Sequence, residues 1–196
     1  MIFRKSYNKP TTRDTVVVTD EGEYTIWDKD FEKLFSSLTA GEEIENSEEL
    51  VRLAVMRGIK KSAVKKISAG NVTRSALVKK ICHEKICGEY PDPSWVEFVI
   101  EKLDRAGFIN DTMYAKRYLE KALEKQWGEY KIRGSMRERG FKNEDIDKAF
   151  AELSPDFESI ARAFCEKNSD ADRESLYRKL NTRGFSASTI IKVLGE

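Results

Sequence analysis

Five apolar positions recur in this chain at one fixed separation. Ile132, Met136, Gly140-Phe141, Ile146 and Phe150 are matched, 44 residues later each time, by Leu176, Leu180, Gly184-Phe185, Ile190 and Leu194. The tripeptide Arg139-Gly140-Phe141 returns as Arg183-Gly184-Phe185. Periods of this size mark helical arrays, in which a unit too small to bury its apolar face alone buries it against its neighbours. Within one unit, from Phe108 to Phe150, the residues Tyr114, Tyr118, Ala122 and Leu123 fall at helical spacing and predict one apolar stripe. Asn110 or Asp111 is placed to cap that helix, and Gly128 to end it in the left-handed conformation. Ile132 and Met136 predict a second short helix closed by Gly140, and Asn143 is placed to cap a third through Ile146, Ala149, Phe150 and Leu153. A looser copy lies upstream, in Ala76-Leu77, Ile81 and Gly88, then Val96, Val99-Ile100 and Leu103, its last helix aligned at an offset of 50. The expectation is a mostly α chain of three tandem three-helix repeats, at 47–107, 108–153 and 154–196.

The first 46 residues read differently. Thr15-Val16-Val17-Val18-Thr19 is β-branched throughout, Glu23-Tyr24-Thr25-Ile26-Trp27 is aromatic and branched, and Asp20-Glu21-Gly22 between them is turn chemistry. That predicts a β-hairpin, which is marginal in water unless a third strand or a helix covers it. Ile2 to Tyr7 is the candidate third strand. Asp28 is placed to cap a short helix through Phe31, Leu34, Phe35 and Leu38, ending near Gly41.

The formal charge is only +1, from 35 Lys and Arg against 34 Asp and Glu, yet its distribution is uneven. Residues 1–50 hold 6 bases and 12 acids, whereas residues 51–87 hold 10 bases against the single acid Glu84. A block of this kind attracts phosphates or an acidic protein groove, more weakly as salt rises, or else is a solvated helix face. The second repeat adds bases of its own. Lys116, Arg117, Lys121 and Lys125 lie off the tyrosine stripe, and Lys131, Arg133, Arg137 and Arg139 off the Ile132/Met136 stripe. Arg133 and Arg137, four apart, share one side of their helix and are expected outside the core. Trp127 and Tyr130 flank the intervening turn, and arginine with aromatic residues is the composition of contact surfaces. Glu120, Glu124 and Glu138 interleave and are placed to pair with these bases, and Trp127 reads equally as core. With Arg74, Lys79, Lys80, Lys179 and Arg183, these bases and Trp127 form the candidate partner- or DNA-binding set.

Other functions find no footing. The chain has one histidine, His83, and no phosphate loop, nucleophile elbow or His-Glu-x-x-His run. A non-enzyme without cofactor is expected. Cys82, Cys87 and Cys165 are an odd number without paired spacing, which suits a reducing cytosol. Cys82 and Cys87 beside His83 fall short of a four-ligand zinc site and read as two buried helical thiols. No apolar run is long enough to span a membrane, and the N-terminus lacks the apolar block of a secretory signal.

One stretch resembles a known family. Ile109-Asn110-Asp111-x-x-Tyr114-Ala115-x-x-Tyr118, then Trp127-Gly128-x-x-Lys131-Ile132-Arg133 and Arg139-Gly140-Phe141, is similar to the central signature of the RecX regulatory proteins. Asn110 stands where that family commonly has Asp, Tyr114 where it has Phe, and Gly134 interrupts the second helix. The resemblance covers residues 60–196 and, in layout, the β element before them. It implies an elongated, curved, monomeric cytoplasmic protein that docks in the groove of the RecA filament on single-stranded DNA, inhibiting ATP hydrolysis and strand exchange in recombination and DNA repair. The alternative is a DNA-binding helical module that acts without RecA. Bases spread over several units, rather than gathered in one recognition helix, favour the first.

Overall fold

The computed structural model describes residues 1–9, 11–70 and 72–195. Three strands, β1 (Phe3–Lys9), β2 (Asp14–Thr19) and β3 (Glu23–Trp27), form an antiparallel sheet in that order. Among the described residues ten helices follow: α1 (Asp28–Leu34), α2 (Ser47–Ser68), α3 (Arg74–Cys82), α4 (Pro93–Arg105), α5 (Asp111–Glu124), α6 (Glu129–Glu138), α7 (Asn143–Leu153), α8 (Phe157–Glu166), α9 (Arg173–Thr182) and α10 (Ala187–Gly195). The chain divides into two compact units, residues 1–70 with 77–108, and residues 71–76 with 109–196.

In the first unit the predicted hairpin is β2–β3, and the candidate third strand is β1, which pairs along β2 with an irregularity between Phe3 and Lys5. Thr19 holds the turn, its hydroxyl accepting from the N–H groups of Glu21 and Gly22 at 3.1 Å each. The sheet is covered as an isolated hairpin requires: Phe3, Val17 and Ile26 share a core with Phe35, Ile44, Leu50, Leu53 and Ala54. One ion pair stitches sheet to helix. Asp14, almost fully buried on β2, receives Nε and Nη2 of Arg57 on α2 at 2.6 and 2.8 Å. Asp28 does not cap α1. It is the first helical residue, and its carboxylate accepts instead from the Thr15 hydroxyl at 2.8 Å. The helix stops at Leu34, short of the expected Gly41. Cys82 ends α3 half-buried and Cys87 lies beyond it, exposed, so the expected pair of buried helical thiols is not formed.

In the second unit the repeat is visible in the helix ends. Helices α6 and α9 begin 44 residues apart and end 44 apart, as the starts of α7 and α10 do. Ile132, Met136, Phe141, Ile146 and Phe150 are buried with Ala115, Leu119 and Ala122 in one core. Leu180, Phe185 and Ile190 are buried with Ala161 and Phe164 in a second. Phe157 at the start of α8 touches both, its ring 6.2 Å from Phe150 and 6.5 Å from Phe185. Two sequence expectations change here, and one open alternative is settled. The innermost stripe of α5 is Ala115, Leu119 and Ala122, with Tyr114, Tyr118 and Leu123 packed at its rim. Asn143 does not cap α7, because Lys142 occupies that position and Asn143 accepts from Arg137 instead. The cap of α5 is Asn110, which accepts from the Met113 N–H at 2.9 Å.

Gly128 also departs from expectation. Gln126 takes the left-handed conformation after α5, whereas Gly128 is extended at φ −81°. Its need for glycine is space. A Cβ there would lie 2.2 Å from the Phe185 nitrogen and 2.3 Å from the Gly184 carbonyl oxygen. Gly140 and Gly184 do close their helices left-handed, each at φ +82°.

Candidate functional site

The turn after α5 and the exposed side of that helix form the site. Tyr114, Arg117, Tyr118 and Lys121 project from successive turns of α5, because residues three and four apart share a helix face, and Lys125 follows at its C-terminal cap. The turn brings Trp127 to one end, and Arg139, just past α6, closes the side. Together with Ala122 they line a cleft of about 180 Å³ that holds four cations and no carboxylate. Tyr114 and Tyr118 meet edge to face at 6.5 Å, and both pack on Phe141. The Tyr118 hydroxyl is fixed by Ser135 Oγ at 2.5 Å. The Arg139 guanidinium lies 5.0 Å above the Tyr118 ring. The Tyr118 side chain raises its pKa while burial works the other way, so Arg139 is a permanent cation.

Trp127 continues into a second, more open groove on the same unit. Lys131, Lys179, Arg183 and Phe164 line it with Arg178. The Trp127 ring carries Lys125 Nζ at 5.3 Å and Lys131 Nζ at 4.9 Å, close enough for cation–π attraction. Aromatic faces among clustered cations can hold an anionic chain through its charges and an unsaturated group by stacking.

The candidate set therefore separates. Arg117, Lys121, Lys125, Trp127 and Arg139 come together in the cleft, and Lys131, Lys179 and Arg183 beside Trp127 in the groove. Others serve the fold. Arg133, expected outside the core, is half-buried: its guanidinium lies 4.1 Å over the Phe150 ring and binds Glu129 at 2.7 Å and Asp147 at 2.6 Å. Burial alone would lower its pKa, and those two acids outweigh it. Arg137 donates to Asn143 at 3.1 Å, and Lys116 pairs with Glu152 at 3.3 Å. Arg183 is half-committed, stacked 4.4 Å over Phe164 with Nη1 donating to the Lys125 carbonyl at 2.7 Å. The Arg74 backbone N–H donates to the Asp111 carboxylate at 3.0 and 3.1 Å. Lys79 and Lys80 belong to the first unit, both exposed on α3. There the basic block is partly consumed by Arg52 on Glu49, Arg57 on Asp14 and Lys66 on Glu84.

Tyr114 and Tyr118 are the site residues that sequence reasoning assigned to the core. Their spacing was legible, but a tyrosine at the edge of an apolar stripe buries one face and offers the rest. Among the described residues no cluster of His, Cys, Asp or Glu is arranged to hold a metal ion. Among them, too, no helix is long and apolar enough to cross a membrane.

Comparison with known proteins agrees with this architecture. A regulatory protein RecX of Halorhodospira halophila is 25% identical over 144 residues, covering 70% of this chain and 86% of that protein. One of Clostridium acetobutylicum is 32% identical over 114 residues, 52% of this chain and 53% of the relative. A crystal structure of a regulatory protein RecX superposes with a TM-score of 0.65 at 20% identity, covering 100% of this chain and 99% of the other. RecX from Lactobacillus salivarius superposes at 0.61 and 18% identity, over 71% of this chain and 94% of that one. No family model matches. With the Ile109–Phe141 signature and the helical repeat behind it, the chain is similar to the RecX regulatory proteins in sequence and shares their fold.

Proposed function

We propose that this protein regulates homologous recombination by binding a RecA filament on single-stranded DNA and inhibiting its ATP hydrolysis and strand exchange. It acts as a cytoplasmic monomer without catalysis or cofactor of its own. The likeness to regulatory proteins RecX supports the process. The observation that carries the contact is the cleft of the second unit, where Arg117, Lys121, Lys125 and Arg139 converge around Tyr118 and Trp127 with no carboxylate in the lining. Such a surface suits the acidic or phosphate-rich face of a nucleoprotein polymer, and its strength should fall with salt. The same aromatic rings support a second reading, a single-strand-binding module that needs no recombinase, because stacking on them is indifferent to sequence.

The deciding experiment is single-stranded-DNA-dependent ATP hydrolysis by RecA from the same source, with this protein added well below one molecule per RecA. Loss of hydrolysis in the wild type, relieved by Arg117→Glu with Lys121→Glu, is the expected result. Full hydrolysis at equal concentrations, with a DNA mobility shift retained, would replace this reading by the recombinase-independent one.

A further inference from the structure

The first unit carries a surface absent from the candidate set. Beside the end of β3, between α2 and α4, a groove of about 600 Å³ opens to solvent. Its floor is apolar, formed by Leu53, Met56, Val99 and Leu103, each buried against the core beneath. Its walls are aromatic: Trp27, and two phenylalanines left largely in water, Phe98 at 45% and Phe108 at 59% exposure. Single exposed apolar residues are ordinary, but two aromatic rings bordering one apolar floor form a contiguous patch of the sort that partners cover. Lys29, Lys60 and Lys102 stand around it, and none of the three makes an ion pair among the described residues. Arg52 is held by Glu49, and Asp30 is the one carboxylate in the lining.

The apolar floor and the charge around it decide between occupants: a phosphate-rich strand has no use for four buried aliphatic side chains, whereas the apolar face of a protein segment does. Here Lys102 Nζ sits 4.1 Å from the Phe98 ring centroid, and the Trp27 ring already carries Arg57 at 5.5 Å and Lys60 at 5.6 Å. Cations at these rings meet carboxylates well, and the floor of Leu53, Met56, Val99 and Leu103 accepts aliphatic or aromatic side chains. We propose that this groove docks an acidic protein segment with large apolar side chains on one face, in the manner of an amphipathic helix laid between two helices. It uses no residue of the basic cleft and does not depend on the recombinase reading.

The test titrates the full chain, by fluorescence anisotropy, into a labelled amphipathic peptide with leucine and tryptophan on one face and glutamate on the other. Saturable binding is expected, weakened roughly tenfold by Phe98→Ala and similarly by Lys29→Glu with Lys102→Glu, positions exposed enough to leave the thermal melt in place. Arg117→Glu with Lys121→Glu should leave this affinity unchanged, which separates failure here from failure of the proposed function. The same peptide with lysine for glutamate should not bind. Undiminished binding by Phe98→Ala, or equal binding of the lysine peptide, overturns the proposal. Oligothymidylate that displaces the peptide, and itself loses binding in Phe98→Ala, overturns it in favour of a nucleic-acid groove.

Discussion

The Gly128 N–H donates to the Arg183 carbonyl at 2.8 Å, joining the turn before α6 to the turn after α9. Tyr130 adds a second backbone bond to the Gly184 carbonyl at 3.0 Å. The joint has a counterpart 44 residues earlier, where the Arg139 carbonyl accepts from the Thr73 hydroxyl at 2.8 Å. Each Arg-Gly-Phe turn thus meets the residue just before an upstream helix, and each arginine stacks on a ring of its own repeat, Tyr118 or Phe164. In this chain Trp127-Gly128 and Arg183-Gly184-Phe185 are two sides of one backbone contact.

Gly128→Ala should consequently be costlier than its half-buried neighbours suggest. The new methyl would meet backbone atoms of Gly184 and Phe185, which have no rotamer by which to retreat. A loss of about 1–3 kcal/mol is expected for the second unit in urea denaturation. A wild-type melt for this variant would show that the turns do not lie so close.

Gly134→Ala should do the opposite. Gly134 lies inside α6, and a Cβ there would meet nothing within 4 Å. Removing the backbone freedom of glycine from a helix interior should add roughly 0.5–1 kcal/mol. A lower melting temperature would mean that the position depends on a bend.

Arg57→Ala tests the buried pair of the first unit. Leaving Asp14 without its partner should cost about 3–5 kcal/mol near neutral pH. Burial by itself raises the Asp14 pKa, but the hydrogen bonds of Arg57 and Thr12 and the charge of Arg57 outweigh it and hold the value below that of a free carboxyl. The stabilisation is therefore complete above the unfolded value of about 3.9 and is lost as pH falls through the lower folded one. The cost of Arg57→Ala should shrink over that acid range, as read by denaturation or by hydrogen exchange of the β2 amides. An equal cost at both ends would remove the ion pair from the explanation.

Arg117 and Arg133 should separate binding from folding. Arg117→Glu with Lys121→Glu should leave the melt intact and flatten the salt dependence of binding to the nucleoprotein filament. Arg133→Glu sets a carboxylate against Phe150, Glu129 and Asp147 and should lower the melting temperature. The reverse pattern would exchange their roles.

Much of this protein was written in the order of its residues. The spacing of Ile132, Met136, Ile146 and Phe150 and their echoes determined where helices would form, because burial of one face imposes the period of the helix on the sequence. The β-branched run at Thr15–Thr19 and the turn at Asp20–Gly22 determined the hairpin for the same local reason. Local patterns do not reach across the chain. Only the tertiary structure decided that Gly128 is small because Gly184 lies against it, that Arg133 is consumed by Phe150 and two acids while Arg117 is not, and that two tyrosines at the edge of a core belong to a cleft. Each of those outcomes depends on which distant residue arrives within a few ångströms, and a charge or a glycine carries no periodicity that names its partner in advance.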